Sequence, residues 1–202
     1  MNEALSMEPV IDAGELFRRH AAFVANFLAR LGVIRTELDD VVQEVFMVAH
    51  RRGGFRPGPA RPTTWLADIA LKVNANRVRK QRRARVEARG ETVERAADER
   101  ASPAEALDHR RSVDRVQQAL DALDDDRRSI FILFELEGES CESIASGLGI
   151  PVGTVYSRLH TARRKFRKAH DRLLARERPR GPRGAVAVVL SLVWVGLRGA
   201  VS

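Results

Sequence analysis

The sequence predicts an all-α protein made of two small helical domains joined by a flexible linker. Apolar residues recur at three- and four-residue spacing along most of the chain, and no alternating strand pattern occurs. The 202 residues are enough for two small hydrophobic cores. A charged segment with few apolar residues, residues 88–110, separates the two periodic stretches. Such a segment buries too little surface to offset the entropy lost on ordering, which predicts a linker.

The first predicted domain, residues 12–87, opens with an amphipathic helix that begins at about Asp12. Its apolar stripe consists of Leu16, His20, Phe23, Val24, Phe27, Leu28 and Leu31. Thr36 and Asp39 resemble a capping box, which predicts that a second helix runs from about Glu37 to Arg51. The apolar face of this second helix consists of Leu38, Val41, Val42, Val45, Val48 and Ala49.

The stretch GGFRPGPARP predicts a loop over residues 52–62, because Gly supplies unusual backbone angles and Pro removes hydrogen-bond donors. A third helix is predicted to follow, with apolar residues Trp65, Leu66, Ile69, Ala70, Val73 and Val78. This helix runs into a segment dominated by Arg and Lys, residues 77–89. Such clustering suggests a polyanionic partner, although blocks of like charge are often only solvated surface.

The second predicted domain, residues 111–176, begins with two further helices that are broken near residues 124–126. A helix-turn-helix is predicted after them. Ser140 is placed to cap a short helix that carries Ile144, Ala145 and Leu148, and Gly149 permits a tight turn. A second helix is predicted from Val152 to about Lys168.

The second helix of this motif has an apolar face made of Val155, Leu159, Ala162 and Phe166. The candidate DNA-binding residues lie away from that face and are Thr154, Ser157, Arg158, Thr161, Arg164 and Lys165. These side chains suit base edges and phosphates in the major groove. The alternative interpretation is an ordinary helical hairpin with a basic solvated face.

Composition argues against enzymatic chemistry, a metal site and a cofactor. The net charge is +8, the single cysteine excludes an internal disulfide, and the five histidines are too scattered for a ligand cluster. No phosphate-binding P-loop is present, and GLGIPVG lacks both the spacing and the preceding strand of a dinucleotide-binding loop. The N-terminal residues MNEALSMEPV do not resemble a signal peptide, so a cytoplasmic protein is expected.

The tail, residues 177–202, is first basic and then apolar, with the stretch AVAVVLSLVWVGL at residues 185–197. This stretch is shorter than the roughly 17 to 25 apolar residues that span a bilayer. Three roles remain open for the tail: packing on the protein's own domains, binding a partner, or contact with a membrane surface.

Two segments resemble one known family. GIPVGTVYSRLHTARRKF resembles the region 4 helix with which extracytoplasmic-function (ECF) sigma factors of the sigma-70 family read the minus-35 promoter element. DDVVQEVFMVAHRR and TTWLADIALKVNANRVRK resemble region 2 of the same family. The resemblance implies a sigma factor that binds core RNA polymerase and directs promoter-specific transcription initiation. The alternative is a helix-turn-helix transcriptional regulator that does not bind core polymerase.

The resemblance also implies roles for residues of the first domain. The helix LDDVVQEVF would bind the clamp helices of the largest polymerase subunit through the stripe Asp40, Gln43, Glu44 and Met47, which is otherwise an ordinary solvated face. The minus-10 element would be captured and melted by Trp65, Asn76, Arg77, Arg79 and Lys80, helped by Arg56 and Arg61. Trp65 fits a hydrophobic core equally well. An anti-sigma factor that covers the stripe or the recognition helix would silence the protein.

The chain departs from the family pattern at Leu71, Lys72 and Asn76, where the family usually has Arg, Asn and Asp. It also has Tyr156 where a basic residue is common. The promoter sequence therefore does not follow from the resemblance.

Overall fold

The computed structural model describes residues 10–87 and 104–177, and within these ranges it consists of helices and connecting turns. The elements are α1 (Ala13–Arg30), α2 (Arg35–Arg51), α3 (Pro62–Glu87), α4 (Ala104–Asp121), α5 (Asp125–Phe131), a π-helical turn (Ile132–Leu136), α6 (Cys141–Leu148) and α7 (Val152–Glu177). The predicted all-α class is confirmed. Helix α4 begins within the predicted linker, because the Ala- and Glu-rich segment there has a high helix propensity that a count of apolar residues overlooks.

Helices α1, α2 and α3 pack against one another, with the apolar stripe of α1 at the centre. The Asp12 side chain caps α1 by accepting a hydrogen bond of 2.9 Å from the backbone amide of Glu15. The fully buried side chains of α1 are Leu16, Val24, Phe27 and Leu28. Burial of these residues supplies the main apolar contact that holds the three helices together.

The start of α2 differs from the prediction. The residue before the helix is Ile34, which makes no side-chain capping bond, and Thr36 lies inside the first turn. The predicted capping box is therefore wrong. The helix starts earlier because Gly32, with φ of 93°, reverses the chain and the Val33 amide bonds to the Leu28 carbonyl at 3.1 Å.

The loop between α2 and α3 is attached to the residues that precede α1. Ile11 and Phe55 form an isolated antiparallel bridge, with two backbone hydrogen bonds of 2.9 Å. Gly54 has φ of 85°, and a Cβ there would lie 2.4 Å from the Ile11 carbonyl oxygen. The sequence showed no strand pattern here, because a single bridge needs no alternation of side chains.

The helix-turn-helix forms with the predicted cap and turn. The Ser140 side chain accepts a 3.1 Å hydrogen bond from the Ser143 amide at the start of α6. Gly149 ends that helix in the left-handed conformation, with φ of 65°. Helix α7 then continues to Glu177, beyond the predicted end at Lys168.

The two halves of the described chain are in contact, because α6 packs against α3. One continuous hydrophobic cluster includes buried residues of both halves. In the described ranges, no helix is both long enough and apolar enough to cross a membrane. The linker residues 88–103 and the tail residues 178–202 lie outside the described residues.

Candidate functional site

The predicted polar stripe of α2 is exposed to solvent. Asp40, Gln43, Glu44 and Met47 all lie on the surface, and the Met47 side chain is 52% exposed. The opposite face of α2 is buried through Val41, Val42, Val45, Phe46 and Ala49. The structure therefore brings the four predicted residues together on one outward face of a helix whose other face is anchored.

An apolar residue of α1 adjoins this stripe. Phe17 is 48% exposed, and its ring makes an edge-to-face contact with Phe46 at 5.1 Å between centroids. Phe17, Gln43, Met47 and His50 line a shallow depression between α1 and α2. Phe17 was not predicted from the sequence to belong to this surface. The signal that could have identified it is its position, because it is an aromatic residue outside the apolar stripe of α1.

A second surface follows one face of α3. Positions 65, 72, 76, 79 and 83 are separated by seven, four, three and four residues, which places them on the same side of an α-helix. Lys72, Asn76, Arg79 and Arg83 are exposed, whereas Trp65 is half-buried against Phe55 with 5.7 Å between ring centroids. Trp65 therefore has both an apolar anchor and an accessible edge. We name these five residues the α3 basic face.

Arg77 points away from the α3 basic face. Its guanidinium forms an ion pair with Glu37 of α2 and hydrogen bonds with Asn74 at 3.2 and 3.3 Å. The side chain is only 18% exposed. Arg77 therefore connects α3 to α2. Arg83 and Lys72, whose ammonium forms a 2.7 Å ion pair with Asp68 of the same helix, are further exposed cations of the α3 basic face. Lys80 is exposed at the margin of the face.

Helix α7, the candidate recognition helix, packs against the rest of the protein through its apolar face. Val155, Leu159 and Ala162 are buried, and Phe166 stacks on Phe131 with 4.6 Å between centroids. Ser157 and Arg164 are exposed on the opposite side. His160 and Lys168 are also exposed there, at helical spacing from Ser157, although they were not among the residues predicted from the sequence. The face directed outward is thus Ser157, His160, Arg164 and Lys168.

The other predicted residues of α7 lie on the flank that faces α5. Thr154 and Thr161 are half-buried. Arg158 forms an ion pair with Asp126 at 2.9 Å, and Lys165 lies 3.7 Å from Asp124. Burial raises the pKa of Asp124, but hydrogen bonds from Arg127 outweigh it and lower that pKa below its ordinary value. Asp124 and Asp126 offset the positive charges of Lys165 and Arg158 on this flank of α7. The outward face of α7 is therefore the more basic of the two.

Tyr156 is 54% exposed and its hydroxyl donates a 3.2 Å hydrogen bond to Glu142 of α6. This hydrogen bond and the negative charge of Glu142 raise the pKa of Tyr156 above its ordinary value. The phenol therefore stays protonated at neutral pH, and because its single O–H is donated to Glu142, its oxygen is left as an acceptor beside the outward face.

The described residues contain no group of three or more His, Cys, Asp or Glu side chains with the geometry to bind a metal ion. Cys141, at the start of α6, is buried, and this burial raises the pKa of its thiol. A buried protonated thiol is a poor nucleophile and a poor metal ligand. Cys141 therefore fills space in the helix-turn-helix.

Two family models match the chain. Sigma-70 region 2 matches residues 16–84, which include most of α1, all of α2 and most of α3. Sigma-70 region 4 matches residues 114–166, which include the helix-turn-helix. The two matches exclude the predicted linker and both termini, and they occur in the order that the sequence motifs predict.

Curated relatives extend the match across most of both regions. The chain is 33% identical over 154 residues to the ECF RNA polymerase sigma factor SigE of Mycolicibacterium smegmatis, covering 76% of this chain and 59% of that protein. It is 32% identical over 155 residues to the RNA polymerase sigma factor CarQ of Myxococcus xanthus, covering 76% of this chain and 86% of CarQ.

Two solved structures have a related fold. The first is the sigma factor RpoE of Bartonella quintana in complex with the anti-sigma factor NepR, with a TM-score of 0.62 and 24% identity over 82% of this chain and 98% of that one. The second is CnrH in complex with the cytosolic domain of CnrY, with a TM-score of 0.55 and 26% identity over 82% of this chain and 89% of that one.

Proposed function

The chain belongs to the ECF group of the sigma-70 family of RNA polymerase sigma factors, and we propose that it binds core RNA polymerase and directs transcription initiation at particular promoters. One combination of features carries this proposal. The same chain presents an exposed polar stripe with an apolar neighbour on α1 and α2, a basic helix face on α3, and a helix-turn-helix with an outward basic face. A simple regulator needs only the last of these.

The first domain, residues 12–87, supplies the contact with core polymerase. Asp40, Gln43 and Glu44 offer carboxylate and amide oxygens to basic groups of the clamp helices of the largest subunit, and Met47 with Phe17 forms an apolar centre. Interfaces generally concentrate their binding energy in such a centre, surrounded by polar groups that exclude water. The polar residues then set the orientation of the partner helices.

The α3 basic face captures the minus-10 element. Lys72, Arg79 and Arg83 follow the phosphates of the melted strand, with Lys80 beside them. Trp65, which is held by Phe55 on one side, provides an aromatic edge for an unstacked base. Asn76 hydrogen-bonds Arg79 at 2.5 Å and keeps that guanidinium over the same face. Arg77 acts through the position of α3, because its guanidinium is occupied by Glu37 and Asn74.

The second domain, residues 111–176, reads the minus-35 element in the major groove. Ser157 and His160 supply donors and acceptors for base edges, whereas Arg164 and Lys168 contact phosphates. Thr154, Arg158, Thr161 and Lys165 lie on the flank toward α5, where Asp124 and Asp126 hold the two cations until a phosphate replaces them. The protein acts by binding and performs no covalent chemistry. It binds two DNA segments and core polymerase.

Regulation by an inhibitory protein follows from the exposure of these surfaces. Both solved relatives are complexes, RpoE with the anti-sigma factor NepR and CnrH with the cytosolic domain of CnrY. We propose that this chain acts in the cytoplasm, where core polymerase lies, and that an anti-sigma factor binds it there. A pull-down from the native host that recovers core polymerase but no such inhibitor would contradict this part of the proposal.

The decisive experiment is in vitro transcription with purified core polymerase and a library of promoter sequences. The wild-type chain is expected to direct initiation from a defined subset of the library. The Gln43→Ala/Glu44→Ala double variant is expected to lose initiation while its second domain still binds duplex DNA. A chain that binds duplex DNA and never joins core polymerase would instead be a helix-turn-helix regulator.

A further inference from the structure

Tyr156 lies in the part of α7 that a recognition helix turns toward base edges. It follows Val152, the first residue of α7, by one helical turn, and the N-terminal residues of a recognition helix make base contacts in the major groove. Positions 156, 160 and 164 are four residues apart, so Tyr156 shares one line on the helix surface with His160 and Arg164. The phenol is 54% exposed. Tyr156 is therefore accessible to a base in the same groove.

The orientation of the phenol is set by the helix that precedes α7. The Tyr156 hydroxyl donates a 3.2 Å hydrogen bond to the Glu142 carboxylate of α6. A tyrosine side chain has only two rotatable torsions, and a hydrogen bond at its far end restricts both of them. The phenol oxygen is therefore held on the side of α7 that faces α6, and little further side-chain entropy is lost when a base binds.

Glu142 is a fixed and ionised partner for the phenol. It lies in the first turn of α6, after the capping residue Ser140 and the buried Cys141. The backbone amide at this end of α6 and the hydroxyls of Ser140 and Tyr156 lower the pKa of Glu142, so its carboxylate is charged at neutral pH. A carboxylate accepts hydrogen bonds and cannot donate one. The proton of the contact is therefore supplied by Tyr156.

This arrangement leaves the phenol oxygen as a hydrogen-bond acceptor. A tyrosine has a single O–H, and here it is directed at Glu142. The donors in the major groove are the amino groups of adenine and cytosine, whereas guanine and thymine present acceptors there. An accepting oxygen bonds to the first two bases and meets the other two acceptor against acceptor. The charge of Glu142 polarises the O–H bond and makes the oxygen a stronger acceptor.

We propose that Tyr156 is a specificity-determining residue of the minus-35 interface, which selects a base with an exocyclic amino group, and that Glu142 is the positioning residue that sets this selection by binding the phenol proton. The proposal rests on the proposed function, because it assigns a base preference within the minus-35 element. It also gives a consequence to the departure from the family pattern at this position. An arginine there would donate and suit guanine, whereas the tyrosine accepts.

The test measures base preference with the complete holoenzyme. The full chain is combined with tagged core polymerase and promoters randomised over the minus-35 element, and bound DNA is recovered through the polymerase and sequenced. The wild type is expected to enrich adenine or cytosine at one position, and the base that is enriched identifies the amino group. Tyr156→Phe removes the hydroxyl alone and is expected to lower that enrichment about fivefold, the effect of one neutral hydrogen bond. Unchanged enrichment at the other positions shows that the variant is folded.

Tyr156→Arg reverses the chemistry at the same position. An arginine side chain donates and does not accept, so the preference is expected to move to guanine, which accepts two hydrogen bonds through O6 and N7. The added charge is also expected to increase the slope of log affinity against log salt concentration by about 1. If Tyr156→Phe instead relaxes a wild-type preference for guanine or thymine, the phenol acts as a donor or through its ring, and the proposed acceptor role is refuted.

Glu142→Ala tests the positioning role, because it leaves Tyr156 in place and frees its proton. The phenol can then donate or accept, so the preference at this position is expected to broaden to all four bases. A structural role alone would weaken binding of every sequence alike. The matched control is Asp125→Ala, which also removes an exposed carboxylate from the first turn of a helix and is expected to select the wild-type sequence.

A double variant separates the action of Glu142 through the phenol from a direct contact with DNA. Glu142→Ala/Tyr156→Phe is expected to select the same sequences as Tyr156→Phe, because the carboxylate has no effect once the hydroxyl is gone. Additive losses of preference would show that Glu142 reads a base itself and would refute its positioning role.

The outcomes distinguish this inference from the proposed function. If the wild-type chain recovers no promoter DNA with core polymerase, the proposed function is contradicted, and the inference with it. If the wild type selects a defined sequence and Tyr156→Phe selects the same one, the base contact is refuted and the proposed function stands. If Tyr156→Phe loses the preference but Glu142→Ala keeps it, the positioning role of Glu142 is refuted.

Discussion

The guanidinium of Arg77 on α3 forms an ion pair with the carboxylate of Glu37 on α2, and the Gln81 side chain donates to the same carboxylate at 3.1 Å. The helix that carries the α3 basic face is thereby fixed to the helix that carries the exposed stripe Asp40, Gln43, Glu44 and Met47. Arg77 therefore has a structural role and is not one of the arginines that are free to contact DNA.

Arg77→Ala is expected to lower the free energy of unfolding by about 1 to 2 kcal/mol, because it removes charge-assisted hydrogen bonds from a mostly buried group. Urea denaturation followed by circular dichroism measures the change. The matched control is Arg79→Ala on the exposed face, which is expected to change stability by no more than about 0.5 kcal/mol. Equal losses for both variants would contradict the structural role of Arg77.

Arg164→Ala is expected to weaken binding of duplex DNA and to reduce the slope of log affinity against log salt concentration by about 1, because one phosphate contact releases about one counterion. Fluorescence anisotropy at several salt concentrations measures the slope. Arg163→Ala is the control, since this guanidinium binds Glu135 and lies 5.0 Å from the ring centroid of Phe134. Unchanged slopes for Arg164→Ala would exclude it from phosphate contact.

His160→Ala is expected to relax base preference at one or two positions of the minus-35 element while leaving the salt slope unchanged. His160 is exposed beside Ser157 and supplies one ring donor and one acceptor, which suits a base edge rather than a phosphate. Selection of bound duplexes from a randomised pool, followed by sequencing, measures the preference. An identical selected sequence for wild type and variant would show that His160 does not read bases.

Met47→Ala is expected to weaken binding of core polymerase roughly tenfold, because apolar residues at the centre of an interface contribute most of the binding energy. Val113→Ala is the matched control, as Val113 on α4 is also about half exposed, at 53%, and lies outside the stripe. Surface plasmon resonance with immobilised core polymerase compares the two. Comparable losses of affinity for both variants would show that the interface with core polymerase does not lie on α2.

Gly149→Ala is expected to destabilise the second domain by about 1 kcal/mol, because a side chain at φ of 65° meets the following carbonyl oxygen. Gly149→Asn is expected to be milder, since Asn tolerates the left-handed conformation. Thermal unfolding measures both variants. A larger loss for Asn than for Ala would show that the φ angle is not the cause.

Cys141 is expected to react with a disulfide reagent at least roughly tenfold more slowly in the folded protein than in denaturant at the same pH. Burial hides the sulfur and raises the pKa of the thiol, so the reactive thiolate is scarcer at neutral pH and increases only as pH rises. Absorbance of the released thiol measures the rate. Rapid reaction of the folded protein would show that the start of α6 opens readily.

Prediction from sequence worked best where structure depends on neighbours along the chain. The stripe of α1, the Ser140 cap and the Gly149 turn each depend on residues within about one or two helical turns, and each is present in the structure. The capping box at Thr36 failed because the turn at Gly32 and Val33 set the start of α2 instead. A local pattern predicts a cap only when no other contact already positions that end of the helix.

The candidate site was predicted in outline and corrected in detail. The stripe Asp40, Gln43, Glu44 and Met47 needed only the phase of α2, and all four residues are exposed as the phase predicts. The cations were harder to assign, because a run of Arg and Lys does not reveal which members have acidic partners. Arg77 and Arg158 both have such partners, from α2 and from the start of α5, at separations of 40 and 32 residues.

The sequence by itself determined the helical class, the order of the helices, the helix-turn-helix and which residues form the exposed stripe of α2, because periodicity and caps act over a few residues. Only the tertiary structure decided which of the predicted cations have acidic partners on other helices, that Phe17 adjoins the stripe, and that Gly147 of α6 meets Thr64 of α3. These features depend on close packing between segments far apart in the chain. Their distances are set by how whole helices fit together, which no local pattern encodes.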